Sequence, residues 1–280
     1  VYIDGQEGTT GLKILERFKN RKDVELLRID EDKRKDYDER KRLINESDFT
    51  FLCLPDAAAV EAVGMVENEN VRIIDASTAH RTNNAWAYGF PELSPNHRAK
   101  IRASKRVAVP GCYASGFISL VYPLIQCGLL QPHYPVFAYA VSGYSGGGRK
   151  MIEQYQNKNR PKEMNSAMQY ALAQNHKHLP EMQAISGLAY KPMFNPMVCS
   201  YYSGMTVSIP IQSRLLHKRV TAEDFWEAYS KHYEGQNFVK VKKLMGEGEL
   251  TGGFLPSNYL SGTNRMEIFV FGTNEQILLC

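Results

Sequence analysis

Short apolar runs and helical-period runs alternate along the first 110 positions. Residues 1–3, 24–29, 49–54, 71–75 and 107–109 have the alternating or continuous apolar character of strands. Residues 12–18 and 57–67 carry amphipathic helical spacing between them. Strands alternating with helices predict an α/β, Rossmann-type doubly wound parallel sheet. The pattern then changes. A helix rich in Leu, Ile, Val and Ala is predicted over 113–126, a strand over 136–141, and helices over 151–158 and 165–175. Strands follow at 183–189, 205–211 and 238–241. Thr221 is placed to cap a helix running to about His232, with Asp224 completing the box and Phe225, Trp226 and Tyr229 on its inner side. Residues 265–271 and 276–279 read as a hairpin around Gly272-Thr273-Asn274. Strands in succession with few helices predict a second, largely antiparallel α+β domain. The expected division is into residues 1–111 and residues 112–280.

Composition narrows the function classes. Of 280 residues, 43% are hydrophobic and 23% charged, as in ordinary soluble globular chains. A net charge of +4 with both signs interleaved is too mild for a nucleic-acid partner and suits small anionic ligands. Cys53, Cys112, Cys127, Cys199 and Cys280 are odd in number, widely spaced and without a CxxC, which fits a reducing cytoplasm. The longest apolar run, 117–125, is far short of the ~20 residues of a membrane span, and no signal peptide leads the chain. The chain opens directly in a strand without Met and stops inside an apolar run, so further residues are expected beyond both ends.

Four stretches carry candidate chemistry. Gly5, Gly8 and Gly11 fall as G-x-x-G-x-x-G between a strand and a helix opened by Thr9 and Thr10. Glycines allow a tight turn and close backbone approach, and the helix N-terminus then faces a phosphate. The alternative is a glycine-rich turn. Asp30 closes the second strand, where a ribose-reading acid favours NAD; Arg28, Lys33, Arg34 and Lys35 beside it suit the 2′-phosphate of NADP or a solvated helix face. After the fourth strand, Ser77 lies where open parallel sheets bind ligands, and His80 and Arg81 either meet an anion there or sit in an exposed loop.

The second group of signals surrounds Val107–Ser115, VAVPGCYAS. Strand, Pro-Gly turn, Cys112 and helix place the sulfur near a helix N-terminus, which favours the thiolate. The competing reading is a small buried apolar residue. Ser145, Gly146 and Arg149 lie in SGYSGGGR, a cradle for phosphate or carboxylate or else a flexible crossover loop. His176 and His178, separated by one residue, cannot point the same way on a helix. One of them is placed to serve a thiolate as general base with Glu181 orienting it. A metal site on the same residues has no further ligand cluster to complete it.

Together these motifs resemble the N-acetyl-gamma-glutamyl-phosphate reductase family in its shorter form, which belongs with the aspartate-semialdehyde dehydrogenases. The matching pieces are DGQEGTTG (4–11), FLCLPDAAA (51–59), IDASTAHR (74–81), YGFPEL (88–93), VPGCYASG (109–116), SGYSGGGR (142–149) and HKHLPEM (176–182). They span nearly the whole chain in order. The resemblance implies Cys112 as nucleophile, NADP in the first domain, His176 or His178 as base and an acyl-phosphate substrate of arginine biosynthesis. It also implies a glycine-rich segment and helix that continue past the position where this chain stops. A homo-oligomer, dimer or tetramer, is expected from the residues themselves, since one face of an antiparallel sheet often forms such an interface and the stretch 192–202 is apolar. The rivals are a sister semialdehyde dehydrogenase acting on aspartyl phosphate, a non-catalytic NADP-binding sensor and a metal hydrolase.

Overall fold

A computed structural model describes all 280 residues. They form two compact units, Val1–Gly111 and Cys112–Cys280.

The first unit is a five-stranded parallel sheet. Its elements in chain order are β1 (Tyr2–Asp4), α1 (Thr9–Phe18), α2 (Tyr37–Glu46), β2 (Phe49–Leu52), α3 (Asp56–Gly64), β3 (Arg72–Asp75), β4 (Ala87–Tyr88), α4 (Pro95–Ala103) and β5 (Arg106–Ala108). The strand order is β1-β2-β3-β5-β4, every pair parallel. The core comes from the apolar positions that defined the strands. Tyr2, Leu52 and Ile73 from the sheet meet Ile44 and Ala59 from the helices, all essentially inaccessible to water. Each such aliphatic or aromatic side chain contributes about 1.5–3 kcal/mol on burial. Two expectations need correction here. The strand over 24–29 is reduced to one bridge, Leu27 to Tyr2, because this edge stays half exposed and makes no further rung. The loop over 86–93 contains the two-residue strand β4, which adds an edge to the sheet beside β5.

The second unit contains α5 (Cys112–Gln126), β6 (Phe137–Gly143), α6 (Gly148–Gln156), β7 (Met168–Gln169), α7 (Leu179–Ser186), β8 (Met193–Cys199), β9 (Met205–Gln212), α8 (Ala222–His232), β10 (Val239–Val241), β11 (Met266–Ile268), β12 (Val270–Gly272) and β13 (Gln276–Leu279). A six-stranded sheet runs β12-β13-β9-β6-β8-β7, antiparallel except for β6 with β8. A separate parallel pair joins β10 to β11. Helix α5 is apolar on nearly all sides and buried. Pro123 interrupts it and has no N–H for the carbonyl of Ser119 one turn back. The Tyr233 hydroxyl donates to that carbonyl at 2.8 Å, and Tyr229 donates to the next one, Leu120, at 2.6 Å. The orphaned backbone acceptor is thus supplied by the segment at the end of α8. Thr221 and Asp224 close α8 with the expected capping box.

Two further expectations fail in this unit. Residues 165–175 do not form a helix. Met168 and Gln169 pair with Val198 and Met197 at the sheet edge, and Ala171 and Gln174 have left-handed backbones (φ 52° and 53°) that a right-handed helix excludes. Residues 183–189 do not form a strand. Residues 183–186 complete α7, which starts at a Pro-containing first turn and is stopped by Gly187 at φ 83°. No helix in the chain is long and apolar enough to cross a membrane.

Candidate active site

The glycine turn of the first unit is one candidate binding element. Gly5 has φ +86°, and a Cβ there would stand 2.4 Å from the Cys53 carbonyl oxygen. A Cβ on Gly11 would stand 2.4 Å from the Gly5 oxygen. Both positions therefore demand glycine, one for backbone conformation and both for space. Gly8 is the N-cap of α1, and no side chain caps it. Thr9, Thr10 and Gly11 follow as the first turn, whose N–H groups carry the positive end of the helix dipole. Uncapped N–H groups behind a glycine turn fit the phosphates of a dinucleotide.

Beside this turn lies a cavity of about 420 Å³, lined by Gly5, Gln6, Ile29, Leu54 and Tyr37, with Arg34 and Lys35 also on its wall. A third cation, Arg40, also lines it but is committed. Its Nε and one terminal nitrogen bond the Asp4 carboxylate at 3.1 and 3.0 Å, and the other bonds Glu61 at 2.9 Å. Burial raises the Asp4 carboxyl pKa, and the Arg40 contacts oppose that rise. Arg34 has only a 3.9 Å approach to Glu31. Asp30, the alternative ribose reader, is exposed, caps a short 3-10 turn and does not line the cavity.

The loop after β3 is a buried polar knot. Asp75 accepts from the Ser77 hydroxyl at 2.6 Å, the Ser77 N–H at 2.9 Å and lies 2.7 Å from His80 Nδ1. The His80 ring stacks on Trp86 at 4.0 Å. Arg81 is buried, and its guanidinium donates to the backbone oxygens of Val109 and Ala76 at 2.9 and 3.0 Å. His80 and Arg81 are thus no exposed loop, and Arg81 spends these two donors on the backbone. The sequence singled out these residues without seeing that Asp75 joins them.

Cys112 is the first residue of α5 and is exposed. Its neighbours come from three other segments. Tyr113 is buried; its hydroxyl shares a 2.6 Å hydrogen bond with Ser142 at the end of β6 and reaches the Met197 carbonyl of β8 at 3.2 Å. Tyr113 and Tyr170 lie close enough to affect each other, and burial holds both phenols above their usual range. The Cys112 sulfur is near enough to raise both further. Against these two rings sits His176, 5.9 Å from Tyr113 and 5.7 Å from Tyr170 between centroids. His176 Nδ1 accepts the backbone N–H of His178 at 3.1 Å, so the neutral ring carries its proton on Nε2. Burial, helped by Lys177, pushes the His176 pKa down to about 4. His178 is buried at the N-cap of α7, its ring 4.7 Å from that of His176, and Glu181 is buried in the first turn of the same helix.

The structure therefore gathers Cys112 and His176 around two tyrosines, with the His178 ring against both Tyr113 and His176. Tyr113, Tyr170 and Ser142 were not singled out by sequence reasoning: Tyr170 lay inside the wrongly assigned helix, Tyr113 read as a helix residue, and Ser142 read only as the start of the SGYSGGGR stretch. The SGYSGGGR stretch is not a loose hairpin. Ser145 and Gly146 lie in a 3-10 turn whose backbone bonds Tyr201 and Tyr202, and it leads straight into α6. A Cβ on Gly146 would meet open space. Arg149 is 72% exposed and pairs with Glu153 one turn on at 2.9 Å.

Comparison with known proteins agrees with this division. Residues 1–101 match the family model described as semialdehyde dehydrogenase, NAD binding domain, and residues 112–280 match semialdehyde dehydrogenase, dimerisation domain. Among curated relatives, N-acetyl-gamma-glutamyl-phosphate reductase of Burkholderia ambifaria is 44% identical over 281 residues, covering 100% of this chain and 88% of the relative. N-acetyl-gamma-glutamyl-phosphate reductase 2 of Pseudomonas putida is 44% identical over 282 residues, covering 100% and 89%. Among solved structures, aspartate semialdehyde dehydrogenase II of Vibrio cholerae superposes with a TM-score of 0.71 at 14% identity, covering 99% of this chain and 90% of that one. The Francisella tularensis aspartate semialdehyde dehydrogenase gives 0.68 at 13%, covering 99% and 92%. At such identities the structural likeness speaks for the fold.

Proposed function

The chain belongs to the semialdehyde dehydrogenase family, and from that premise we propose that it reduces N-acetyl-glutamyl 5-phosphate to the 5-semialdehyde through a thioester on Cys112. The curated relatives that match its whole length carry the name of that reaction. The observation that carries the reading is the placement of Cys112 as the opening residue of α5, beside two phenols against which a neutral imidazole packs.

The Cys112 thiolate, favoured by the helix N-terminus, attacks the acyl carbon of the substrate. The carbon–oxygen bond to phosphate breaks, phosphate leaves with its electron pair and takes one proton from solvent, and a thioester remains. A thiol suits this exchange because thioester and acyl phosphate are of comparable reactivity. A nicotinamide cofactor, when bound, supplies the hydride that reduces the thioester carbon. His176 Nε2–H then donates to the oxygen of the resulting hemithioacetal, which bears the developing charge. Collapse of that oxyanion breaks the carbon–sulfur bond, frees the aldehyde and restores the thiolate. His176 rather than His178 takes this role, because its ring packs against both tyrosines that sense the sulfur, whereas the buried His178 ring reaches Tyr113 of that pair, at 6.2 Å. Ser145, Gly146 and Arg149 are assigned to the substrate's anionic groups.

The cofactor is NADP in this reading. Gly5, Gly8, Thr9, Thr10 and Gly11 hold the pyrophosphate, Ser77 lies on the same end of the sheet, and Arg34 and Lys35 meet the 2′-phosphate. The dimerisation-domain match supports a homo-oligomer. The test is Cys112→Ser, assayed by phosphate-dependent NADP reduction with N-acetyl-glutamate semialdehyde and, in parallel, aspartate semialdehyde. The wild-type chain is expected to turn over the first substrate in preference to the second. The variant is expected to lose turnover and keep NADPH binding; full activity without the sulfur refutes the covalent route.

A further inference from the structure

The loop that carries His176 is fastened to the sheet by a side chain, not by backbone pairing. Strand β7 pairs antiparallel with β8, Met168 opposite Val198 and Gln169 opposite Met197. The ladder continues for one bond, from the Tyr170 N–H to the Pro196 carbonyl at 3.2 Å. Pro196 has no N–H to return, so the pairing stops there. In the same register residue 172 would face Phe194. Instead the chain leaves the edge and curls: Ala171 and Gln174 are left-handed, and the Gln174 N–H donates to the Ala171 carbonyl at 2.9 Å.

The Gln174 side chain fills the vacated rung. Its Oε1 accepts from the Phe194 N–H at 2.9 Å, and its Nε2 donates to the Phe194 carbonyl at 3.1 Å and to Asn195 Oδ1 at 3.2 Å. An antiparallel hydrogen-bonded pair makes the same two bonds with backbone. Two residues later the His176 ring packs edge-on against the side chain of the gripped residue, Phe194, at 5.3 Å. Two non-glycine residues in a strained backbone persist only where surrounding contacts over-determine them. Here those contacts are the three bonds of one amide.

We propose that Gln174 is the positioning residue for the His176 imidazole, holding the loop from Tyr170 to His178 on the edge of β8 so that the ring keeps its place beside Tyr113 and Tyr170. The role rests on the reading of Cys112 as nucleophile and of His176 as the hydrogen-bond donor to the hemithioacetal oxygen. Gln174 touches neither; it acts through the loop.

Gln174→Met keeps the length and loses all three bonds. In the full chain it is expected to lower kcat by about 10–100-fold, the scale of a misplaced reacting group, with NADPH affinity unchanged within twofold. The His176 ring resonances of a histidine-labelled sample should move, and its pKa should rise from about 4 toward the ordinary 6.5. Gln174→Glu supplies a second reading. Ionised, it sets a carboxylate against the Phe194 carbonyl; protonated, it restores one donor and one acceptor. Its kcat relative to the parent chain should therefore be closer to unity at pH 5 than at pH 8. Unchanged kcat in Gln174→Met, or a lower kcat with unmoved His176 resonances and no pH rescue in Gln174→Glu, overturns the proposal. Activity surviving in Cys112→Ser would instead overturn the reading beneath it.

Discussion

Alanine placed at each of the three glycines in turn should give three different outcomes. At Gly5 the backbone is at φ +86°, which costs an L side chain about 1–2 kcal/mol, and the new Cβ meets the Cys53 carbonyl oxygen and carbon at 2.4 and 2.9 Å. Those are main-chain atoms of the strand end beside it and cannot swing aside, so overpacking adds about 1–3 kcal/mol. The sum is about 2–5 kcal/mol. At Gly11 the φ is ordinary, and helix propensity returns up to about 1 kcal/mol, but the Cβ would stand 2.4 Å from the Gly5 oxygen and 2.7 Å from the Gln6 Cα. The net loss should be about 1–2 kcal/mol. At Gly8 the nearest atom is 3.3 Å away, so little more is lost than the N-cap preference of glycine over alanine, about 0.5 kcal/mol. The expected order of destabilisation is Gly5, then Gly11, then Gly8. Thermal unfolding by circular dichroism reads it directly, at a few degrees per kcal/mol for a unit of this size. NADPH titration by fluorescence reads the second effect: Gly8→Ala should weaken binding with little change in Tm, since its Cβ lies at the helix mouth. Equal Tm losses at all three positions, or a Gly8→Ala loss as large as that of Gly5→Ala, would refute the geometry of the turn.

Replacing Arg34 and Lys35 together by Ala should weaken NADPH by about 10–100-fold, the scale of one or two charge-assisted hydrogen bonds at a wet site, and leave NADH within about threefold; equal losses for both cofactors would remove these side chains from the 2′-phosphate. The His176 imidazole, ordinarily near 6.5, is held near 4 by burial. Between those values the unfolded chain binds a proton that the folded chain does not, so this contribution to stability is complete above about pH 6.5 and is lost as pH falls through about 4. The pH profile of Cys112 alkylation should accordingly show no inflection near 6.5 that disappears in His176→Gln, and finding one would assign the ring an ordinary imidazolium.

Legibility followed the range of the interaction that decided each feature. The first unit was readable because its signals are local: apolar strand runs, the glycine spacing, and the short turns between them. The Thr221–Asp224 cap and the Gly272 hairpin were readable for the same reason. The errors fell where tertiary pairing overrode local pattern. Met168 and Gln169 belong to a helix-compatible string, yet an open edge on β8 recruits them. Residues 183–186 carry helix signals in Pro180, Glu181 and Gly187 that were outweighed by their apolar content. At the candidate site, the PGCY string around Cys112 and the histidine motif stood out as unusual residue strings. The tyrosines and Gln174 did not, because their partners are 20 to 84 residues away in sequence and nothing in their own neighbourhood marks them.

Arg81 also bears on how an open sheet survives its own opening. Strands β3 and β5 make their last shared bond from the Val109 N–H to Asp75, and beyond it Ala76 and Val109 turn their carbonyls to one guanidinium. That fork acts as a rivet at the point where two parallel strands begin to part. At the carboxyl ends of the strands, where open parallel sheets bind ligands, the seam between β3 and β5 is therefore held by a side chain past the last backbone bond. The flat, rigid shape of guanidinium lets one side chain hold both lips of the seam, which the single ammonium of lysine would do poorly.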